Sequence, residues 1–528
     1  MASQNDVIGN EADETSPLLG REEWQPSTRS SPTAQYQLKR PFLIGLVLCL
    51  GIFLWTLTNV YSIYPAIQLA EDAICKRHYL RHPNVTQPDG WYQDSFLDGC
   101  DLPGTQQRVF RLLSLQYTLM AVVGVLVAYP FGVLADKIGR RPVYALAAAG
   151  QSSSILWSLI VFAGWRALPV ELVLIGPVFQ LFGGGTLVGT AVLYAILSDV
   201  MPIRSRTLWF FFLTFAGAAG THVGSALLII LTSSWTPWGP LIISLVLGLL
   251  NASLMLLIPE TLKVDPTEEE TLAERITIPE AREAFVHRTA FREHVSEAWS
   301  SLSTLVDNQS ISLALLAFIM LAATYSQITA LYFSNVRQRF YDHHNWVDAA
   351  LPIQSFANLP ILAVILPLLT YFLTPSRFGI SFFRRDLLLA RISAVFIPVG
   401  SLLLGMPNLA VVITGLTIIT LGVGISPLLH SLVTHYVESA KTARLFALIG
   451  ALMTVQKFAT DPLFGWISTK APHGFWAGLP FLILSVLGVV LVIAVWRLRS
   501  EVVVEVVPRG GDDEDATLLD EESMPLGE

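Results

Sequence analysis

The sequence predicts an all-α polytopic membrane protein, with twelve transmembrane helices in two pseudo-symmetric six-helix bundles. Three observations carry that prediction. The chain of 528 residues is 53% hydrophobic and only 14% charged, against roughly 25% charged in soluble domains. Its apolar runs come in lengths near the ~20 residues that one bilayer crossing needs. Its basic residues concentrate in alternate short loops, the asymmetry that orients helices across a bilayer.

Taken in order, the predicted spans lie near 41–64, 110–134, 142–164, 170–197, 207–231, 238–259, 309–333, 350–373, 387–405, 408–434, 443–467 and 475–496. Short loops on one side carry Lys137, Arg140, Arg141, Arg204, Arg206, Arg377, Arg384, Arg385, Lys441 and Arg444. Those on the other carry only Arg166, Arg337, Arg339 and Lys470. The positive-inside rule therefore places both termini in the cytoplasm. Residues 1–40 are polar and acidic, with no cleavable signal peptide, and read as a disordered tail. Residues 41–260 form the first bundle, interrupted by an outer loop at 65–109, and 261–308 read as a charged cytoplasmic linker. Residues 309–497 form the second bundle and 498–528 an acidic tail.

An internal repeat supports the division. Gly185 precedes Asp199 by 14 residues and Gly424 precedes Glu438 by 14, an offset of 239 between halves, and each acid is followed by basic residues. A duplicated six-helix unit gives such an offset.

The densest local signal is Gly132-Val133-Leu134-Ala135-Asp136-Lys137-Ile138-Gly139-Arg140-Arg141, a tight charged hairpin between the second and third spans. Gly132 lets a neighbouring helix approach, Gly139 permits a turn with positive φ, and Lys137, Arg140 and Arg141 favour the cytoplasmic side. Asp136 does nothing for that bias. The pattern resembles the signature loop of the major facilitator superfamily, which implies a transporter fold. By that resemblance Asp136 engages the positive N-terminal end of a helix in the other half and a nearby arginine, latching one of two alternating conformations. The segment Thr374 to Arg391 keeps arginines but lacks the acid-centred core, so the latch is expected to be asymmetric.

The long loop after the first span holds Cys75 and Cys100, two of three cysteines, and the sequon Asn84-Val85-Thr86. On the outer side the cysteines face an oxidising compartment. A disulfide closing that loop would stabilise it by ~3 kcal/mol in the loop-entropy model. Asn84 is correctly placed for glycosylation. Such a loop resembles the branch containing proton-coupled folate transporters and is similar to those of many fungal relatives, which implies a fungal member. The N-terminal tail contains Glu14 with Leu18 and Leu19, an acidic dileucine pattern for vacuolar or endosomal sorting; the plasma membrane is the other destination.

Titratable groups inside the spans are scarce, and a charge at the bilayer centre costs at least ~2.5 kcal/mol unless it faces an aqueous cavity. Lys457 and Asp461 lie four apart in the eleventh span, where they share a helix face and can pair. His222 and His430 could relay protons. Gln116, Gln180, Gln327, Gln354 and Asn358 supply neutral hydrogen-bonding groups to a substrate cavity, or bridge helices. Gln180 occupies a place where proton-linked members of the superfamily commonly have an arginine. The fifth span, Gly217 to Gly224, resembles the glycine motif of drug exporters without its Gly-Pro step.

These readings imply a secondary transporter working by alternating access. Export of small amphipathic molecules such as secondary metabolites or drugs, in exchange for protons, is the first reading. Proton-coupled uptake of organic anions or nutrients is the second, and a non-transporting nutrient receptor the third. The expected partners are a small-molecule substrate, protons and lipid, with no nucleic acid, no cofactor, no metal, and a monomer as the working unit. An enzyme is not expected, because HExxH, GxSxG, phosphate-loop and paired-cysteine motifs are all missing.

Overall fold

The computed structural model describes residues 41–81, 104–234, 236–261, 308–373, 381–470 and 477–499. Both tails, nearly all of the linker, Cys100, Asn84, Glu14, Leu18 and Leu19 lie outside the described residues. Within them the chain forms twelve long helical segments: α1 Pro41–Arg81, α2 Thr105–Ile138, α3 Arg140–Ala163, α4 Val170–Val200, α5 Ile203–Ser234, α6 Trp238–Leu256, α7 Gln309–Arg339, α8 Asn345–Phe372, α9 Phe382–Leu404, α10 Leu409–Val433, α11 Thr442–Lys470 and α12 Leu479–Arg497. Eleven are long and apolar enough to cross a bilayer. The exception is α11, long enough at 29 residues but carrying Arg444, Lys457, Asp461 and Lys470.

The outer loop expected at 65–109 is shorter than its hydropathy implied, because α1 continues through Pro65 to Arg81 and α2 begins at Thr105. Apolar runs end at the first charges, whereas a helix ends where its face stops packing. Leu69, Ala70, Ala73 and Tyr79 keep helical spacing and are buried. Asp72 and Lys76 pair across one turn at 2.8 Å, each side chain about 6% exposed, which lets two charges continue the helix.

Helix α1 packs on α5 and α6, and α3 on α4 and α6. In the second half α9 packs on α10 and α12, and α7 on α11 and α12. The halves meet where α11 packs along α2 and α4, and where α8 and α10 pack on α5. Leu48, Ala135, Tyr144 and Phe210 share one core with Phe318, Leu429 and Ala447 of the other half. At the opposite end the core splits in two. Leu69, Leu113, Phe162 and Val173 form one cluster, and Tyr332, Val347, Phe464 and Phe481 another. The halves are therefore fused at the end bearing the Asp136 loop and separate at the far end.

Candidate functional site: an inter-bundle lock and the cleft above it

Gly132 and Gly139 place the lock. A Cβ on Gly132 would stand 2.8 Å from the Arg444 Cα and 2.9 Å from the Ala447 Cβ, so only glycine lets α2 and α11 come this close. Gly139 turns the chain at φ 119°, ending α2 and starting α3 in one residue. The first N–H groups of a helix lack partners of their own and carry positive partial charge. At α3 they are met by Glu260, which accepts from the Arg140 N–H at 2.9 Å and the Arg141 N–H at 3.1 Å.

The same chemistry joins the two halves. Asp136 accepts from the backbone N–H groups of Ala443 and Arg444 at 3.1 Å each, in the first turn of α11, and from the Arg444 Nε at 3.0 Å. Arg140, fully buried, lies 3.6 Å from Asp136 and pairs with Asp199 of α4. It donates to the Ser439 carbonyl and the Thr442 hydroxyl at 2.6 Å each. Asp199 also accepts from the Ser439 hydroxyl at 2.6 Å. Two acids and two arginines thus neutralise one another away from solvent, each also hydrogen-bonded, the condition under which buried charges are tolerated. Lys137 is exposed and Arg141 half-buried.

Asp199 entered the sequence reading only as a repeat marker, and its role in this cluster was missed. Its repeat mate Glu438 is exposed and pairs with Lys441 at 2.8 Å, so the equivalent positions do different work.

The second half makes a contact of a different kind. Asp386, at the start of α9 and 1% exposed, accepts from Arg385 Nε at 2.9 Å and Nη2 at 2.8 Å. Its other oxygen accepts from the Thr207 hydroxyl in the first turn of α5 and from Ser431 of α10 at 3.4 Å. A second inter-half contact therefore lies near the Asp136 contact, made to side-chain hydroxyls; position 375, which the 239-residue offset pairs with Asp136, lies outside the described residues. It escaped the sequence pattern because here the acid follows its arginines and lies on the helix after the loop. Beside it, burial and the nearby Arg206 guanidinium push the His435 imidazole down to about 4, leaving it neutral at physiological pH.

Above the lock, equivalent stripes of α2 and α11 change from buried to exposed. On α2 the stripe runs Gly132, Ala128, Val125, Ala121, Thr118, Ser114, Arg111. On α11 it runs Ala443, Ala447, Gly450, Thr454, Lys457, Asp461, Gly465. In both, the first two residues are buried, the next two half-buried and the rest exposed. Steps of three and four residues keep each stripe on one helix face, so the faces that touch at the lock lose their cover towards the other end, and Lys457 and Asp461 lie on the exposed part of the α11 face.

Lys457 and Asp461 share that face but do not pair, which corrects the expectation. Gln327 of α7 donates to the Asp461 carboxylate at 2.6 Å and takes the place of the lysine. An exposed pair at this spacing contributes only about 0.3–0.5 kcal/mol, less than a charge-assisted hydrogen bond. The other candidates are scattered. Gln116 lines a small pocket inside the first half with Ser62, Gln151, Ser154 and Ser158. Gln180 donates to Gln151 at 3.0 Å and is buried there. His430 donates from Nδ1 to the Ser426 carbonyl at 2.7 Å, boxed in by Tyr194, Phe210, Phe318 and Phe446. His222 lies on Phe356 of α8, ring centroids 5.0 Å apart. Gln354 and Asn358 are half-buried on α8, and the Asn358 side-chain oxygen is buried with no hydrogen-bond partner. Cys75 is fully buried and disulfide-bonded.

Gly132→Val is expected to push α2 off α11, since the atoms it meets are backbone and an alanine Cβ. A cysteine placed at Ala447 should then react with a thiol reagent at least about tenfold faster, the equivalent of ~1.4 kcal/mol lost from the contact. Unchanged protection would remove Gly132 from the lock.

Twelve long helices, eleven of them apolar enough to span a bilayer, define a multi-pass integral membrane protein. The model of the Major Facilitator Superfamily matches residues 46–460. The chain belongs to that superfamily and is a membrane transporter, not an enzyme. It is 27% identical over 436 residues to the MFS efflux pump atnC of Emericella nidulans, covering 80% of this chain and 81% of the relative. It is 23% identical over 437 residues to the efflux pump ustT of Aspergillus flavus, covering 79% and 81%. The fold is similar to the crystal structure of the human organic anion transporter MFSD10, with TM-score 0.59 at 15% identity, covering 86% of this chain and 99% of that one.

Proposed function

We propose that the protein exports small amphipathic organic molecules by alternating access, two six-helix bundles rocking about a substrate site near the midplane, in exchange for protons. The observation that carries the mechanism is Asp136 on the N-terminus of α11, a charged contact across the two halves that, among the described residues, has no counterpart at the other end. The basic loops put the lock end in the cytoplasm, so the conformation is outward-facing and both termini are inside. Export is supported by two relatives named as efflux pumps. The protein works as a monomer in the plasma or vacuolar membrane, with a disulfide from Cys75 to Cys100 fastening its outer loop.

Asp461 is the coupling residue. Its carboxylate accepts from Gln327; once protonated it becomes a donor, and the Gln327 amide must rotate to offer its oxygen. A proton thus changes how α7 and α11 are joined on the cleft wall. Asp461→Asn is expected to abolish uphill transport driven by a pH gradient in reconstituted vesicles while leaving downhill exchange measurable. His222→Gln and His430→Gln should be milder, since neither ring sits beside a carboxylate. Retained uphill transport in Asp461→Asn would refute this assignment, and retained uphill transport in all three would place the coupling outside these residues.

A further inference from the structure

We infer that the cleft selects organic solutes bearing an anionic group, a carboxylate or its equivalent, and that Lys457 binds that group; this rests on the transporter reading above and names its substrate class. Lys457 is exposed on the α11 stripe, and its i+4 neighbour Asp461 is taken by Gln327 at 2.6 Å. Among the described residues Lys457 makes no ion pair or hydrogen bond. An ammonium held near the bilayer centre is costly without a paired counter-charge, and Asp461, one turn on, is held by Gln327, which leaves the pairing position to a solute.

The facing wall has the same sign. Arg111 is exposed on the opposing α2 stripe, nearer the mouth, and likewise makes no ion pair among the described residues. Arg108, near that mouth, is instead occupied by Glu171 at 2.8 Å. Farther round the far end Arg337 is held by Asp348 at 3.0 Å. Lys457 and Arg111, one on each wall and unpaired among the described residues, therefore bias the cleft towards a positive field in a chain whose formal net charge is −8. Such a field concentrates anions along the path to the inner cation.

Equilibrium binding to the purified full chain in detergent tests this with two probes of equal size, dansylglycine with its carboxylate and dansylglycinamide without. The carboxylate is expected to bind roughly tenfold tighter or more, the worth of one charge-assisted hydrogen bond. The preference should vanish in Lys457→Gln and persist in Lys457→Arg, which keeps the charge; Asp461→Asn should keep it as well. Equal affinities, a preference that survives Lys457→Gln, or no saturable binding of the carboxylate up to millimolar concentration would each overturn the inference. Binding at equilibrium is blind to direction and driving force. Failure of export would appear in vesicles instead, as transport in the opposite sense or without a proton gradient.

Discussion

Asp136→Asn is expected to leave the protein folded and expressed but to cut transport turnover by roughly 10- to 100-fold. Asp136 is 8% exposed and receives three hydrogen bonds from the first turn of α11, two from backbone and one from the Arg444 side chain. Asparagine has the same shape but no charge, and one of its two terminal atoms becomes a donor facing another donor. A hydrogen bond to a charged group contributes about 1.5–3 kcal/mol, equivalent to roughly 10- to 100-fold in the balance between locked and open forms. A transporter that must visit both forms slows when either is displaced by that much. Initial rates in reconstituted vesicles measure the first effect. Thiol labelling of a cysteine at the lock end measures the second and should rise as the rate falls. Wild-type rates in the variant would show that the contact is not a latch.

Arg140→Ala is expected to do more damage, and to stability. Its guanidinium is fully buried between Asp136 and Asp199 and also bonds Ser439 and Thr442. Removing it leaves two carboxylates facing each other without their shared cation, and breaking a buried ion pair from one side costs about 3–5 kcal/mol. Thermal unfolding in detergent should fall by several degrees, far more than for Lys137→Ala in the same loop, where the side chain is exposed. Adding Asp199→Asn to Arg140→Ala should recover part of the loss, because the second change removes the charge the first left stranded. A double variant no more stable than the single one would mean that Arg140 acts through packing and not through charge.

The two halves of the site differed in how legible they were. Asp136 and its glycines were visible because a turn with positive φ, a helix contact and a basic flank all fall within ten consecutive residues. Asp386 performs related work from the reversed order Arg385-Asp386 and passed unnoticed. Lys457 and Asp461 were found because charges are rare in apolar spans, but their spacing pointed to each other, when the carboxylate's partner was Gln327, 134 residues away. A helix face lists which neighbours a side chain could reach along its own helix, and says nothing of what the next helix offers.

By itself the sequence determined the quantities that add up along the chain. Hydropathy set the number of long helices, because each crossing must satisfy its own backbone hydrogen bonds within one segment. Charge scarcity marked the residues worth attention, because each intramembrane charge has a cost that must be met somewhere. Only the tertiary structure decided how those costs were met: the continuation of α1 to Arg81 around the Asp72 and Lys76 pair, the Arg140 bridge to Asp199, the contact of Asp386 with Thr207, and the separation of Lys457 from Asp461. Each of these depends on which helix faces are brought together, a choice fixed by packing over the whole molecule and not by any local run of residues.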